Sequence, residues 1–332
     1  MDNPSISLII PVFNRPNEVE ELLESLTRQT AGGFEVVIVE DGSTVASDEV
    51  ADHYRDRLDI HYIRIPNGGP GNARNVGARK SKGDYLIVLD SDCVLPPGYI
   101  QAVRDEIAQT NADAFGGPDK ASDDFTDVQK AINYAMTSFF TTGGIRGGKK
   151  KMDKFYPRSF NMGIRAEVFR TLNGFSRMRF GEDIDFSIRL FKGGYKVCLF
   201  PSAWVYHKRR TDWRKFYRQV YNFGIARINL YKKYPDSLKV VHLLPAVFTL
   251  GCLVLLLGAL VCPWALLPLV VYALLIGIDA SLTNRSLRIG TLAIIASFIQ
   301  LLGYGSGFLS AFWQRVVRGK DEYSAFQKTF YK

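Results

Sequence analysis

The sequence predicts an α/β fold, a mostly parallel sheet with helices on both faces, followed by a C-terminal α-helical membrane region. In the first half of the chain, apolar runs of strand length alternate with amphipathic helical patterns. Polar or acidic residues follow three of these predicted strands, at the edge where parallel sheets commonly bind ligands. After residue 240, the apolar residues gather into runs long enough to cross a membrane.

The first seven predicted elements alternate strictly between strand and helix. The predicted strands are residues 5–12, 34–39, 60–65 and 85–89. The predicted helices between them are residues 18–30, 45–57 and 72–81. In the first helix, Val19, Leu22, Leu23 and Leu26 share one face. Repeated strand–helix units of this kind predict a parallel sheet.

Later elements of the water-soluble part follow a looser pattern. A helix is predicted for residues 98–110, a strand near 112–116, regular structure at 158–165 and a helix beginning in GEDIDFSIRL. A strand at 196–200 and an extended piece at 204–207 end this part. Between them, residues 141–154 (TTGGIRGGKKKMDK) are rich in glycine and lysine, which predicts a mobile loop.

The composition of the C-terminal third indicates contact with a membrane. Residues 212–234 form a basic, aromatic, amphipathic stretch that suits a membrane interface. The apolar runs 240–262, 265–282 and 289–313 follow, the last rich in small residues that favour helix packing. Two or three spans both remain open, because three would place the basic C-terminal tail outside, against the positive-inside tendency. We therefore divide the chain into residues 1–210, 211–237 and 238–332.

Charge and cysteine usage predict the compartment. The formal net charge is +9, and residues 208–239 hold ten basic residues against two acidic ones. Beside a membrane-length run, this excess predicts a cytoplasmic collar facing anionic lipids, and no nucleic-acid-binding motif accompanies it. The four cysteines show no metal-ligand spacing, and the N-terminus lacks a basic signal region. We expect a multi-pass protein of a bacterial-type inner membrane, with its catalytic domain in the cytoplasm.

Three acidic or glycine-rich motifs carry candidate chemistry. Asp90 and Asp92 follow the predicted strand at 85–89. Residues two apart in an extended chain point the same way, so both carboxylates can reach one Mg²⁺ or Mn²⁺. An acidic turn is the alternative. The loop Gly68–Gly69–Pro70–Gly71 opens a helix, where free amides and Arg74 suit an anionic ligand. A tight turn with a helix cap is the alternative reading.

The third motif is GEDIDFSIRL, at the start of a predicted helix. Acids in a first helical turn are favoured by the helix dipole and need no catalytic role. Asp185 and Arg189 are four residues apart and are expected to pair. Asp183 has no such partner along the helix, which makes it the candidate general base.

Five motifs in this order resemble family-two glycosyltransferases of the GT-A fold: PVFN, EDGS, GGPGNARNVGA, DSD and GEDIDFSIRL. The resemblance covers about the first 210 residues. It implies a nucleotide pocket lined by Pro11, Phe13, Asn14, Glu40, Asp41, Arg74 and Asp90. Glu40 stands where the family usually has aspartate, so the resemblance does not say whether Glu40 or Asp41 touches the nucleotide.

The same resemblance implies the remaining roles. Asp90 and Asp92 would hold the metal, Asp183 would be the general base, and His207 would contact the metal or diphosphate unless it is a plain strand-end histidine. The implied reaction is inverting, metal-dependent transfer of one sugar from a nucleotide-diphosphate sugar to a lipid-linked or membrane-proximal glycan acceptor. A processive synthase is the nearest alternative, although its QxxRW motif is missing. A non-catalytic scaffold and a nucleotidyltransferase are further alternatives.

Overall fold

The structure is a computed structural model that describes residues 4–120, 125–142, 155–178, 180–207 and 212–321. Most of the predicted glycine- and lysine-rich loop lies outside these residues, as do Lys208, Arg209 and Arg210 of the basic collar and Lys328 and Lys332 of the tail. The described residues form two compact units. Residues 4–120 and 155–207 belong to the first, and residues 125–142 and 212–321 to the second.

The first unit is an α/β layer structure. Its strands are β1 (Ile6–Val12), β2 (Phe34–Asp41), β3 (Asp59–Ile65), β4 (Tyr85–Leu89), β5 (Cys93–Val94), β6 (Ala114–Gly116), β7 (Asp119–Lys120), β8 (Asn161–Arg165), β9 (Val197–Leu199) and β10 (Val205–His207). Its helices are α1 (Pro16–Thr27), α2 (Asp48–His53), α3 (Pro70–Lys80), α4 (Tyr99–Thr110), α7 (Ala166–Thr171) and α8 (Glu182–Lys192). The second unit supplies α5 (Asp127–Thr137), α6 (Phe139–Thr142), α9 (Trp213–Lys233), α10 (Leu244–Gly258), α11 (Leu267–Asn284) and α12 (Leu287–Phe312).

The main sheet has the strand order β3-β2-β1-β4-β8-β6-β9. Strand β1 pairs in parallel with β2 on one side and with β4 on the other. Only β8 among the described strands of this sheet runs against its neighbours, β4 and β6. The prediction of a mostly parallel sheet is therefore confirmed. A smaller sheet, β5-β10-β7, pairs the chain just after Asp92 with the strand that ends at His207.

The central strands are buried along almost their whole length and are largely apolar, because both faces of the sheet are covered. The five residues of β4 are all buried, and so are all residues of β1 except Pro11. The predicted helix at 45–57 is wrong in length, since α2 has six residues. Only Ala51 of α2 is buried, so little apolar packing is available to extend it.

The second unit is helical. Helix α5 was not predicted, although Thr126 and Gln129 form a capping box at its start. Two helical segments are long and apolar enough to cross a membrane, Pro263–Asn284 with mean hydropathy 2.1 and Leu287–Val317 with 1.7. The predicted first run contains α10, whose 15 residues rise about 22 Å, less than a hydrocarbon core of about 30 Å.

Glycines let α9 and α12 approach closely, as the small residues near 305 predicted. A Cβ added at Gly307 would lie 2.0 Å from the carbonyl oxygen of Tyr221, and one at Gly224 would lie 2.2 Å from that of Tyr304. Both neighbours are backbone atoms, so one helix would have to move. Close approach of the helix backbones therefore depends on these glycines.

We expect Gly307→Ala to destabilise the second unit by about 1–3 kcal/mol, because the methyl group overpacks the interface between α9 and α12. The measurement is the unfolding temperature of the full chain in detergent. Gly251→Ala in α10 is the matched control, since a Cβ there meets nothing within 4 Å. Equal unfolding temperatures for the two variants would contradict the packing argument.

Candidate active site

The strands that carry the predicted motifs are neighbours in the sheet. Strands β2, β1 and β4 lie side by side and run in the same direction. Their carboxyl ends therefore meet at one edge, which brings Asn14, Asp41 and Asp90 to the same rim.

Asn14 fastens the end of β1 to the turn after β2. Its backbone is in the left-handed region, with φ 55. The side-chain Oδ1 accepts hydrogen bonds from the backbone amides of Thr44 at 2.8 Å and Val45 at 2.9 Å. Phe13, beside it, leaves 50% of its surface exposed at the rim. The Asn14 side chain thus makes its hydrogen bonds within the protein, whereas the Phe13 ring is half exposed to solvent.

Glu40 is buried, and both of its carboxylate oxygens accept hydrogen bonds from within the protein. One carboxylate oxygen accepts a hydrogen bond from the Ser43 hydroxyl. The other accepts from the Ser47 amide at 2.9 Å and from the Tyr62 hydroxyl at 2.6 Å. Burial, followed by the Glu40 contact, raises the pKa of Tyr62. Glu40 therefore holds the turn between β2 and α2.

Asp41 holds the glycine loop that opens α3. Its carboxylate accepts hydrogen bonds from the amides of Gly68 at 2.7 Å and Gly69 at 2.9 Å. Burial raises the pKa of Asp41, and the two amide bonds offset part of that rise. The prediction that these amides are free for an anionic ligand is wrong, because a carboxylate from the neighbouring strand end already satisfies them.

Arg74 links two motifs that are far apart in the sequence. Its guanidinium is buried and lies 3.0 Å from Asp90 Oδ1 and 2.6 Å from Glu182 Oε1. Burial opposes the charge, but Asp90 and Glu182 outweigh it and raise the pKa of Arg74. Burial also raises the pKa of Glu182 to about 7, against the pull of Arg74 and with help from Asp183. The DSD and GEDID motifs are thus separated by a single side chain.

The raised pKa of Glu182 predicts that the free energy of unfolding depends on pH. The pKa of Glu182 is about 7 in the folded chain, against an ordinary value of 4.5. The folded state therefore binds this proton more tightly. This tighter proton binding contributes to the free energy of unfolding. The contribution is complete below pH 4.5 and is lost as the pH rises through 7, at about 1.4 kcal/mol per unit of pKa difference. We expect the unfolding temperature to fall less between pH 5 and pH 8 in Glu182→Gln than in the native chain; identical profiles would refute this.

Asp92 is buried between the side chains of Arg15 and His207. Arg15 Nη1 lies 2.6 Å from Asp92 Oδ2, and His207 Nε2 lies 3.2 Å from Asp92 Oδ1. The His207 ring stacks on Phe160, with centroids 4.9 Å apart. Burial would raise the pKa of Asp92, but His207 and then Arg15 outweigh it and hold that pKa below its usual range. His207 is therefore placed beside the DSD motif by the pairing of β10 with β5.

The donor atoms around Asp92 fit a divalent cation. The Asp92 carboxylate, the Cys93 sulfur and the His207 imidazole offer ligand atoms within 4.8 Å of one another. Burial raises the pKa of Cys93 well above its ordinary value, which disfavours the thiolate form in which cysteine binds metals. Oxygen and nitrogen donors remain, and this set suits Mn²⁺ or a similar ion.

Asp183 and Asp185 begin the same helix and have different partners. Asp185 is completely buried and lies 3.0 Å from Arg189 Nε, which confirms the predicted pair. Asp183 Oδ2 lies 3.0 Å from Arg158 Nε, a partner outside the helix that the helical spacing of the motif does not cover. The partner comes from the segment before β8, which helical spacing does not reveal.

Three residues of the site were missed from the sequence: Arg15, Arg158 and Glu182. Arg15 directly follows the PVFN motif, and Glu182 directly precedes Asp183, so proximity to a motif was an available signal for both. Arg158 carries no such signal. Its role depends on the turn that brings it to the start of α8.

Comparison with known proteins places this chain in a family. Residues 7–172 match the family described as Glycosyl transferase family 2. An uncharacterized glycosyltransferase of Haemophilus influenzae is 34% identical over 219 residues, covering 62% of this chain and 70% of that protein. The uncharacterized glycosyltransferase EpsJ of Bacillus subtilis is 29% identical over 216 residues, covering 63% of this chain. The match spans less than two thirds of that relative, 62% of its length.

Solved structures agree at the level of the fold. The mannosyltransferase PcManGT from Pyrobaculum calidifontis, solved in complex with GDP-Man and Mn²⁺, has a TM-score of 0.67 at 16% identity. The superposition covers 95% of this chain and 89% of that one. At that identity the likeness shows the GT-A fold. The chain belongs to glycosyl transferase family 2 and is a glycosyltransferase.

Proposed function

We propose that this glycosyltransferase moves one sugar from a nucleotide-diphosphate sugar to a membrane-associated acceptor, with inversion of the anomeric configuration. The proposed acceptor is a polyprenyl-linked glycan. The observation that carries the proposal is the position of Arg74 between Asp90 and Glu182. Arg74 joins Asp90, from the motif suited to a metal-bound diphosphate, to Glu182, at the acidic helix start suited to proton transfer.

Asp183 is the proposed base. Its carboxylate is largely buried, and the Arg158 guanidinium at 3.0 Å holds one oxygen in place. The other oxygen accepts a hydrogen bond from the Ile184 amide at 2.8 Å. A carboxylate fixed in this way can take the proton from an acceptor hydroxyl as that hydroxyl attacks the anomeric carbon opposite the leaving diphosphate. A single displacement of this geometry inverts the anomeric configuration.

Asp90, Asp92 and His207 are the proposed metal ligands, with Mg²⁺ or Mn²⁺ as the ion. Asp92 Oδ1 lies 3.2 Å from His207 Nε2, so an oxygen and a nitrogen atom that can both bind a metal lie side by side at the proposed site. When bound, the ion supplies positive charge against the charge that develops on the diphosphate. Pro11, Phe13, Asn14, Glu40, Asp41 and Arg74 line or support the proposed nucleotide pocket, with the exposed Phe13 ring available for stacking. The GDP-Man and Mn²⁺ bound by the mannosyltransferase PcManGT, which shares the fold, support this reading.

The acceptor is proposed to be membrane-bound because of the second unit. In its segment Pro263–Asn284, only 11% of the most apolar window is buried, so the apolar side chains need a lipid environment. In Leu287–Val317 the buried share is 44%, in keeping with the packing of α12 against α9. The basic residues of α9, including Lys232 and Lys233 in its last turn, favour a cytoplasmic, inner-membrane orientation.

The test is a panel of sugar nucleotides, each incubated with the full chain, Mn²⁺ or Mg²⁺ and a polyprenyl-linked acceptor. We expect release of nucleoside diphosphate that depends on metal and acceptor, and one added sugar of inverted configuration by NMR. A long polymer would indicate the processive alternative, and pyrophosphate would indicate nucleotidyl transfer. Absence of release with every donor would favour the non-catalytic scaffold.

A further inference from the structure

The opposite edge of the main sheet carries a second group of possible metal ligands. Glu35 lies near the beginning of β2 and faces Asp59, the first residue of β3, in the strand register. His61 follows two residues later on β3, so it projects from the same face as Asp59. The three side chains converge at the amino end of the strands, whereas the candidate active site lies at the carboxyl end.

The distances match those of ligands around one small cation. His61 Nε2 lies 3.3 Å from Glu35 Oε2 and 3.5 Å from Asp59 Oδ1. One ligand atom of each residue lies within 4.8 Å of the other two. Ligands about 2.0–2.2 Å from a tetrahedral zinc ion are roughly 3.3–3.6 Å apart. Both imidazole-to-carboxylate separations fall in that range.

The buried member of the group is aimed at the others and lacks a hydrogen-bond partner there. Glu35 is 7% exposed. Among the described residues, neither Glu35 Oε2 nor His61 Nε2 makes a hydrogen bond, although both atoms are buried. A buried carboxylate oxygen without a partner costs free energy unless a cation compensates it. An ion bound between Glu35 Oε2 and His61 Nε2 would give both atoms a partner.

Other contacts hold Glu35 in this orientation. Its second oxygen, Oε1, accepts hydrogen bonds from Ser7 Oγ at 2.5 Å and from the Lys82 amide at 2.5 Å. These bonds hold the carboxylate against β1 and the loop before β4. The Glu35 side chain therefore need not lose further conformational freedom when Oε2 binds an ion. Asp59, with its side chain 67% exposed, leaves an open path for an ion from solvent.

We propose that Glu35, Asp59 and His61 bind a zinc-class divalent transition-metal ion. One imidazole and two carboxylates are ligands that Zn²⁺ accepts, and three protein ligands leave a fourth position for water. Mg²⁺ and Ca²⁺ prefer oxygen-only shells, so the imidazole disfavours them. The bound ion cross-links the edge strand β3 to β2. This site does not depend on the proposed transfer reaction.

The test measures Zn²⁺ bound to the full chain in detergent, by equilibrium dialysis and elemental analysis. The Asp92→Asn variant serves as background, so that zinc at the candidate active site does not contribute. We expect one Zn²⁺ per chain in this background, and at least about 100-fold weaker binding when His61→Asn is added, since even indirect partners of a ligand change affinity 10–100-fold. Asp59→Asn should weaken binding in the same direction, and His53→Asn, on α2, should leave it unchanged.

A spectroscopic and a stability measurement complete the test. Co²⁺ bound in the Asp92→Asn background should show the visible absorption of a four-coordinate ion and lose it in His61→Asn. Zn²⁺ should raise the unfolding temperature of the background variant and not that of the double variant. The proposal is overturned if no zinc binds, or if zinc binding is unchanged by His61→Asn. In either case the alternative is a protonated His61 that pairs with Glu35 and Asp59.

Discussion

Asp183→Asn is expected to lower turnover by about 10²- to 10⁴-fold while donor binding stays intact, because the amide cannot accept the acceptor's proton. The change keeps the shape of the side chain, and the partly exposed Arg158 can be solvated when its partner loses its charge. The measurements are kcat for nucleoside diphosphate release and the donor Kd from calorimetry. Loss of kcat with an unchanged Kd is the expected pattern.

Asp185→Asn is the matched control for this prediction. It makes the same chemical change two residues away on α8, at a completely buried carboxylate paired with Arg189. We expect a lower unfolding temperature, because a buried ion pair is broken, and nearly normal kcat in the folded fraction. If Asp183→Asn kept normal turnover, the assignment of the general base would fall.

Asp92→Ala is expected to remove the metal dependence of donor binding. Native donor affinity should rise with Mn²⁺, whereas the variant should bind the donor at least about 100-fold more weakly, with no response to Mn²⁺, because the diphosphate charge is no longer offset. Donor titrations with and without Mn²⁺ measure the effect. Asp92→Asn, which keeps the volume, separates this effect from a packing defect around the buried Arg15 and His207 contacts.

Asp105→Ala provides the control for lost negative charge. Asp105 is an exposed residue of α4, in the same unit but away from the strand ends that form the rim. We expect its Mn²⁺ dependence to equal that of the native chain. A native Mn²⁺ response in both Asp92 variants would exclude Asp92 as a metal ligand.

The regular elements were predictable from short windows of sequence. Strand β4 was predicted with the bounds that the structure has, and β1 and β2 within two residues, because short, largely apolar runs between turn signals are typical of buried strands. The Asp185–Arg189 pair was equally predictable, since helical spacing alone places the two side chains together. Helix α5 was missed because its capping box is short and follows a segment without periodicity.

The sequence by itself determined the alternation of strands and helices from β1 to β4, the position of the acidic motifs at strand ends and the location of the long apolar segments. Those features follow from periodicity and composition over a few residues. Only the tertiary structure decided that Arg74 lies between Asp90 and Glu182, that Arg158 pairs with Asp183, and that Asp41 occupies the amides of the glycine loop. Such contacts join segments far apart in the chain, and they depend on which strand ends become neighbours when the sheet forms.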